Sequence, residues 1–458
     1  MQWIFKKISI NLQWIIKMEY YNRHIDKELE QWALSRGRKP LLLRGARQVG
    51  KSSSVRKLGE KFEYFLEINF EKDNDMLELF ETAGSLHPQT LCNKISLLKE
   101  TPIIPGKTLL FLDEIQSSLR AISSLRFFYE DYPDLHIIAA GSLLEFALEE
   151  LPSFGVGRIR SLFMYPFSFS EFLSANGNKM LLDAIENATP ECPLDDAIHS
   201  KALEFLRVFL IIGGMPETVA TYIKENDLFK CQFILDDLMV TLRSDFAKYK
   251  RRIPSLQIST AFESVVKQAG KKFIFSVVGQ EYSFYQIKQA LELLKKADLV
   301  ISVVHTSASG LPLGAEINPK KQKLILHDTG ILQRLQDLNL ANILLSSDFD
   351  LINKGYIAEM YVGLELLKAS SCYIPKQLYY WQREQKNNQA EVDYVIQNGD
   401  KIIPIEVKSG TSGKMQSLHL FLKEKKIEYG IRTSLENFCK YDKIKVYPLY
   451  AIGNVMRK

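Results

Sequence analysis

Runs of consecutive apolar residues alternate with helix-periodic segments through the first third of the chain. Leu41-Leu42-Leu43, Tyr64 to Asn69, Leu109 to Leu112 and Leu135 to Ala140 are short and nearly uninterrupted. Such runs suit parallel strands buried on both faces. Ile25, Leu29, Trp32 and Ala33 fall on one face of a helix over Asp26 to Ser35, which Gly37 ends. Ser53 to Lys61 also reads as a helix, and Leu77 to Leu98 as a helical stretch broken near Gly84 to Pro88. The pattern predicts an α/β fold with a parallel sheet and flanking helices.

Further along, Ser174 to Leu194 is polar and loop-rich, with one short helix. His199 to Ile212 is an amphipathic helix, stopped by Gly213-Gly214-Met215-Pro216-Glu217. Leu228 to Tyr249 is helical and runs into Lys248, Lys250, Arg251 and Arg252 before Pro254; such a basic cluster is favourable at a helix C-terminus and needs no ligand. Leu256 to Gln268 and Ser283 to Ala297 read as helices, followed by strands Leu299 to Val304 and Lys323 to His327 around a Gly/Ser loop. Helix, helix, hairpin is the layout of a winged helix. If its second helix entered a major groove, Gln286, Lys288, Gln289 and Lys295 would make the contacts; plain scaffolding is the alternative.

The final segment predicts an amphipathic helix over Lys354 to Ala369 and strands at Leu378 to Arg383, Glu391 to Ile396 and Lys401 to Lys408. Asn398-Gly399 is a hairpin signal between the last two strands.

A length of 458 residues exceeds one ordinary core and implies about three domains. With 46% hydrophobic and 25% charged residues, the composition is that of a soluble globular protein. The net charge of +5 permits nucleic-acid or acidic partners without arguing for them. Five scattered cysteines with no C-x-x-C pair exclude a disulfide or zinc framework and read as reduced thiols of a cytoplasmic protein. Met1 to Lys17 has helically spaced apolar residues but is too short and interrupted to span a membrane; it reads as an extension outside the fold.

The densest chemistry follows the first apolar run. Gly45-Ala46-Arg47-Gln48-Val49-Gly50-Lys51-Ser52 is a full G-x-x-x-x-G-K-S/T pattern where a strand should turn into a helix. The glycines let backbone N–H groups face phosphate oxygens, aided by the helix N-terminus. Lys51 reaches the β- and γ-phosphates, the Ser52 hydroxyl sits on Mg²⁺, and Ser53 extends the cradle. The run ending in Asp113-Glu114 places two carboxylates at a buried strand end, which is costly without a cation. Asp113 is the expected partner of Mg²⁺ and Glu114 the base that orients the attacking water. Ser142 either senses the γ-phosphate or caps a helix. Arg158, after Gly155-Val156-Gly157, is the candidate arginine finger, for its own or a neighbouring subunit's nucleotide.

These motifs, with Tyr165-Pro166-Phe167-Ser168-Phe169-Ser170-Glu171-Phe172, resemble the AAA-type ATPases. More narrowly, the chain is similar to the bacterial and archaeal group that joins this P-loop NTPase module to a DUF4143 region. That group's G-A-R-Q-V-G-K-S/T loop is matched from Gly45 to Ser52, and its L-D-E-I-Q from Leu112 to Gln116. The resemblance implies an extension over 1–17, an ATPase domain over 18–172, a helical lid with a winged-helix region over 173–340, and a DUF4143 domain over 341–458.

On the last hairpin, pairing Gln397 with Asp400 puts Asp393 opposite Pro404 and Glu391 opposite Glu406. Alternation then brings Glu391, Asp393, Glu406 and Lys408 to one face, with Asp393 and Glu406 as diagonal neighbours. This resembles the PD-(D/E)XK nuclease core. Carried over by position, Glu359, Asp393 and Glu406 would hold a second divalent cation and Lys408 would be the catalytic lysine; Val392 stands where the motif has proline. A charged solvent face of a surface hairpin is the plainer reading. The expected activity is therefore that of an ATP- and Mg²⁺-dependent hydrolase. Its C-terminal region is either an ATP-gated DNA nuclease or a non-catalytic module for DNA or a protein partner, and oligomerisation is open.

Overall fold

The structure is a computed structural model that describes residues 19–151, 157–249, 253–279, 281–336, 355–383, 390–410 and 413–456. The extension Met1 to Lys17, Gly155-Val156, the side chains of the Lys248 to Arg252 cluster and the expected boundary at 340 lie outside these residues.

The predicted parallel sheet is present. Its strands are β1 (Leu41–Arg44), β2 (Tyr64–Asn69), β3 (Thr108–Asp113), β4 (His136–Ala140) and β5 (Arg160–Phe163). They are ordered β2-β3-β4-β1-β5 with every pair parallel. The unbroken apolar runs are needed because both faces are covered. Leu41, Leu43, Leu109 and Phe111 pack with Ile25, Leu29, Trp32, Val55 and Leu58 of the helices His24–Leu34 and Lys51–Gly59. Leu42, Leu110 and Leu112 face the other way, onto Phe80, Ile95 and Leu125 of three further helices. The result is a three-layer domain.

The middle and C-terminal thirds share one core, from Phe169 and Phe209 through Leu291 and Leu324 to Tyr361, Tyr394 and Leu449. Their sheet has eight strands. Besides β6 (Val300–Thr306) and β7 (Ile317–Leu326), it contains β8 (Leu378–Gln382), β9 (Glu391–Asn398), β10 (Lys401–Val407), β11 (Gly430–Ser434), β12 (Cys439–Tyr441) and β13 (Ile444–Pro448). The order is β12-β13-β11-β10-β9-β8-β6-β7. The hairpin expected to be the wing of a separate winged helix is thus the edge of the C-terminal sheet, with β6 paired in parallel to β8.

Two further expectations are corrected. The helix Gly355–Lys368 is buried nearly all round, from Ile357 to Leu367, and is not amphipathic. In the last hairpin, Asn398 pairs with Lys401 and Tyr394 with Ile405, so Gly399 and Asp400 form the turn, with Gly399 at φ +60°. Continuing that register sets Asp393 opposite Glu406, not opposite Pro404. A slip of two residues leaves every side chain on its predicted face, so it brings the two carboxylates closer without separating them.

The Gly213-Gly214 turn is a structural joint. The Gly214 N–H donates to Asp328 Oδ2 (2.6 Å), and the Phe167 N–H to Gly214 O (2.7 Å). A Cβ on Gly213 would lie 2.1 Å from Asp328 Oδ1, and one on Gly214 2.3 Å from Phe167 O. Neither position has room for a side chain.

Candidate nucleotide site and C-terminal carboxylate cluster

Because the five strands are parallel, Gly45, Asp113 and Ser142, which each end or follow a strand, gather at one edge of the sheet. Gly45 (φ +139°) and Gly50 (φ +100°) hold the loop's bends, and a Cβ on Gly45 would meet Met164 O at 2.1 Å. Lys51 is buried and curls back, with Nζ donating to Gly45 O (2.8 Å) and Ala46 O (2.7 Å). Burial pushes its ammonium down to about 8, against the pull of Glu114, Asp298 and Asp113.

Ser52 Oγ lies 3.1 Å from both Asp113 oxygens, and Asn69 Nδ2 donates to Asp113 Oδ2 (3.2 Å). Burial, followed by the charge of Glu114, raises the Asp113 carboxyl above its ordinary range. A buried carboxylate facing a hydroxyl, with no cation bonded to it among the described residues, fits a hard divalent ion. Glu114 adopts a left-handed backbone (φ +51°) and accepts from Gln116 Nε2 (2.6 Å). Gln116 rests on Gly141, where a Cβ would lie 2.0 Å from Gln116 Oε1.

Ser142 lines a cavity with Arg47, Gln48, Met215 and Leu238. The following helix is capped at Leu143, so Ser142 is not its N-cap. Arg47 is engaged by Asp245 (2.5 Å), at the end of the helix Leu228–Asp245. Arg158 is elsewhere. It precedes β5, whose Arg160 pairs with Leu41 at the start of β1, and it forms an ion pair with Glu130. It is therefore at the opposite edge of the sheet from this chain's own loop, which does not fit a finger acting on that loop's own nucleotide.

Two residues at this site, Arg23 and Asp298, carry no local sequence signal, and a third, Glu171, stands in the Tyr165–Phe172 motif as the N3 partner of Ser168. Arg23 donates to Val49 O (3.0 Å), Tyr165 O (2.7 Å) and Glu171 Oε1 (3.1 Å). Glu171 also accepts from the backbone N–H of His24 (2.6 Å) and Ser168 (2.8 Å). Asp298 arrives from between the helix Phe284–Lys296 and β6. Its neighbours Ala297 and Leu299 line the Ser142 cavity.

The C-terminal carboxylates do converge, but around a lysine. Lys323 Nζ lies 2.7 Å from Glu359 Oε1, 2.5 Å from Glu391 Oε1 and 3.8 Å from Asp393 Oδ1. Asp393 Oδ2 accepts the Val407 N–H (2.8 Å), and Glu406 Oε1 accepts from Lys408 (2.7 Å). Burial pushes the carboxyls of Glu359 and Glu406 each up to about 7. Among the described residues, no three His, Cys, Asp or Glu side chains are grouped to hold a metal ion. Of the expected Glu359–Asp393–Glu406 ligands, Glu359 and Asp393 face Lys323, and Glu406 faces Lys408.

Of the expected groove contacts, Gln286 caps its own helix by accepting from the Ser283 N–H (2.9 Å), and Lys295 bonds Glu292 and Gln322 (3.0 Å each). Lys288 and Gln289 are exposed.

Residues 37–173 match the family model of an AAA domain. Residues 203–342 and 354–452 match two domains of unknown function, DUF8612 and DUF4143. The chain therefore matches an AAA-type domain over the region that holds the P-loop pattern, and DUF4143 over its last part. Curated protein sequences gave no match. Among solved structures, the Walker-type ATPase of Pyrococcus abyssi is 16% identical, over 70% of this chain and 97% of that one, with a TM-score of 0.45. The Thermotoga maritima RuvB Holliday junction branch migration motor is 13% identical over 61% and 89%, with a TM-score of 0.25. PCH-2 of C. elegans is 15% identical over 59% and 67%, with a TM-score of 0.21. At such values none of the three carries an activity over to this chain. Among the described residues, no helix is long and apolar enough to cross a membrane.

Proposed function

We propose that this protein hydrolyses ATP with Mg²⁺ and uses the nucleotide state as a switch acting on its C-terminal sheet. The observation that carries the reading is Ser52 Oγ held 3.1 Å from both oxygens of Asp113, beside a lysine bonded to the loop carbonyls of Gly45 and Ala46. Ser52 and Asp113 are the residues that would hold Mg²⁺, Asp113 through water. When bound, that ion neutralises charge developing on the phosphate oxygens. Lys51 exchanges two neutral carbonyl partners for phosphate oxygens, which an ammonium prefers. The N–H groups from Ala46 to Ser53 cradle the phosphates at the helix N-terminus. Glu114, at the end of the same strand as Asp113, orients the attacking water and takes its proton.

Replacement of Lys51 by Ala should abolish ATP turnover in a phosphate-release assay while the protein stays folded by circular dichroism; full turnover in that variant would refute hydrolysis at this loop. The readings of the downstream activity, an ATP-gated DNA nuclease or a non-catalytic DNA- or protein-binding module, differ in what the C-terminal carboxylate cluster does.

A further inference from the structure

Lys323 is on the edge strand β7 and is only 4% exposed. Its side chain passes the ring of Tyr380 on β8, 5.3 Å from the centroid, to reach Glu359, Glu391 and Asp393. A buried ammonium is a compact point charge whose donors need oxygen partners. The same three oxygens are those from which a divalent ion would draw its ligands. The two cannot be accommodated together, because a metal bound by these carboxylates would sit against Nζ and the like charges would repel.

We propose that Lys323 is the resident cation of the Glu359–Glu391–Asp393 cluster and excludes a divalent metal from it, so that in this state the cluster is not a metal centre. The rest of the cluster is arranged to match. Asp393 Oδ2 is committed to the Val407 N–H and Glu406 Oε1 to Lys408. Lys272 approaches the second oxygen of Glu391 (3.3 Å). Glu406 Oε2 is buried without a hydrogen-bond partner. It is the oxygen an incoming metal would recruit once Lys323 had gone. Lys323→Met removes the internal charge and leaves three carboxylates without it, the situation in which a divalent ion gains most.

The test is Mn²⁺ binding by the nucleotide-free full-length protein, followed by electron paramagnetic resonance. Wild type and Asp393→Asn should bind Mn²⁺ identically, since any ion held at the phosphate loop is common to both. Lys323→Met should gain one further equivalent, at least tenfold tighter than any wild-type binding at this cluster, and Lys323→Met/Asp393→Asn should lose it. Mn²⁺ should raise the melting temperature of Lys323→Met and leave that of the wild type unchanged. The proposal is overturned if Asp393→Asn removes a Mn²⁺ ion from the wild type, or if a folded Lys323→Met acquires none. Should Lys323→Met not fold, the comparison of wild type with Asp393→Asn still decides.

Discussion

Arg23 and Glu171 stand 148 residues apart in the chain and 3.1 Å apart in the fold, both buried, and the same guanidinium holds Val49 of the phosphate loop. Arg23 stacks over Phe167 (4.0 Å) while donating to Val49 of the loop. The same Phe167–Phe169 segment is also held by the buried helix Gly355–Lys368. Lys368 Nζ donates to Phe167 O (2.8 Å), and the Phe169 N–H donates to Glu365 Oε2 (3.1 Å). The loop that would hold phosphates is therefore three contacts away from the helix Gly355–Lys368, by way of Arg23 and Phe167.

That ion pair makes stability depend on pH in a definite direction. Burial alone would raise the Glu171 carboxyl, but Arg23, His24 and two backbone N–H groups hold it down to about 2 from an ordinary 4.5. The folded chain binds this proton less readily than the unfolded one. The stabilisation is thus complete above about 4.5 and lost as pH falls through about 2. Glu171→Gln should cost about 3 kcal/mol at pH 7 in urea denaturation, and the gap to wild type should close between those two pH values. A gap of constant size would show that Glu171 acts by shape and not by charge.

A second expectation concerns Glu114, the proposed base. Gln116 is bonded to Glu114 at 2.6 Å and pressed against Gly141, immediately before Ser142. It bridges two strand ends, β3 and β4, and under the proposed hydrolysis it would position Glu114. Gln116→Ala should lower kcat by about tenfold to a hundredfold, the cost of a misplaced group, with nucleotide affinity unchanged. Gly141→Ala should reproduce the effect by displacing the same side chain. Faster turnover in either variant would mean that Gln116 restrains Glu114 instead of aiming it.

What could be read from sequence here is what is written in consecutive residues. Gly45 to Ser52 and Asp113-Glu114 form local patterns, and the doubly covered sheet needs unbroken apolar runs, so the first third was legible. The strand Gly430–Ser434 was not. It reads Gly-Ile-Arg-Thr-Ser yet is entirely buried, so its burial follows from its neighbours β10 and β13 and not from its own side chains. Arg23, Asp298 and Lys323 were missed for a related reason: each acts on a partner in a distant element, and an isolated charged residue looks like surface. The face of the β9–β10 hairpin was predicted even though its register was not, because the pleat has a period of two.

Asp298 supplies a third prediction, and one that bears on how the two ends of the molecule communicate. It stands at the foot of the β6–β7 hairpin, where Ala297 and Leu299 line the cavity beside Arg47, Gln48 and Ser142, and the far strand of that hairpin carries Lys323. Burial pushes its carboxyl up to about 6, with Glu145 adding to the rise and Lys51 and Arg44 opposing it. At neutral pH it is mostly ionised, so a nucleotide's phosphates must enter against its charge. Asp298→Asn should therefore bind an ATP analogue about tenfold more tightly at pH 7.5 by calorimetry, a difference of about 1.4 kcal/mol. Below pH 6 Asp298 is protonated in the wild type and the two affinities should converge. Because the comparison is made at each pH, titration of the nucleotide itself cancels. In wild type, phosphate binding should also loosen β6 and β7, seen as faster amide exchange at Val303 and Lys323, and Asp298→Asn should not show it. Equal affinities at pH 7.5, or unchanged exchange in the wild type, would remove the hairpin as the connection between the nucleotide site and the carboxylate cluster.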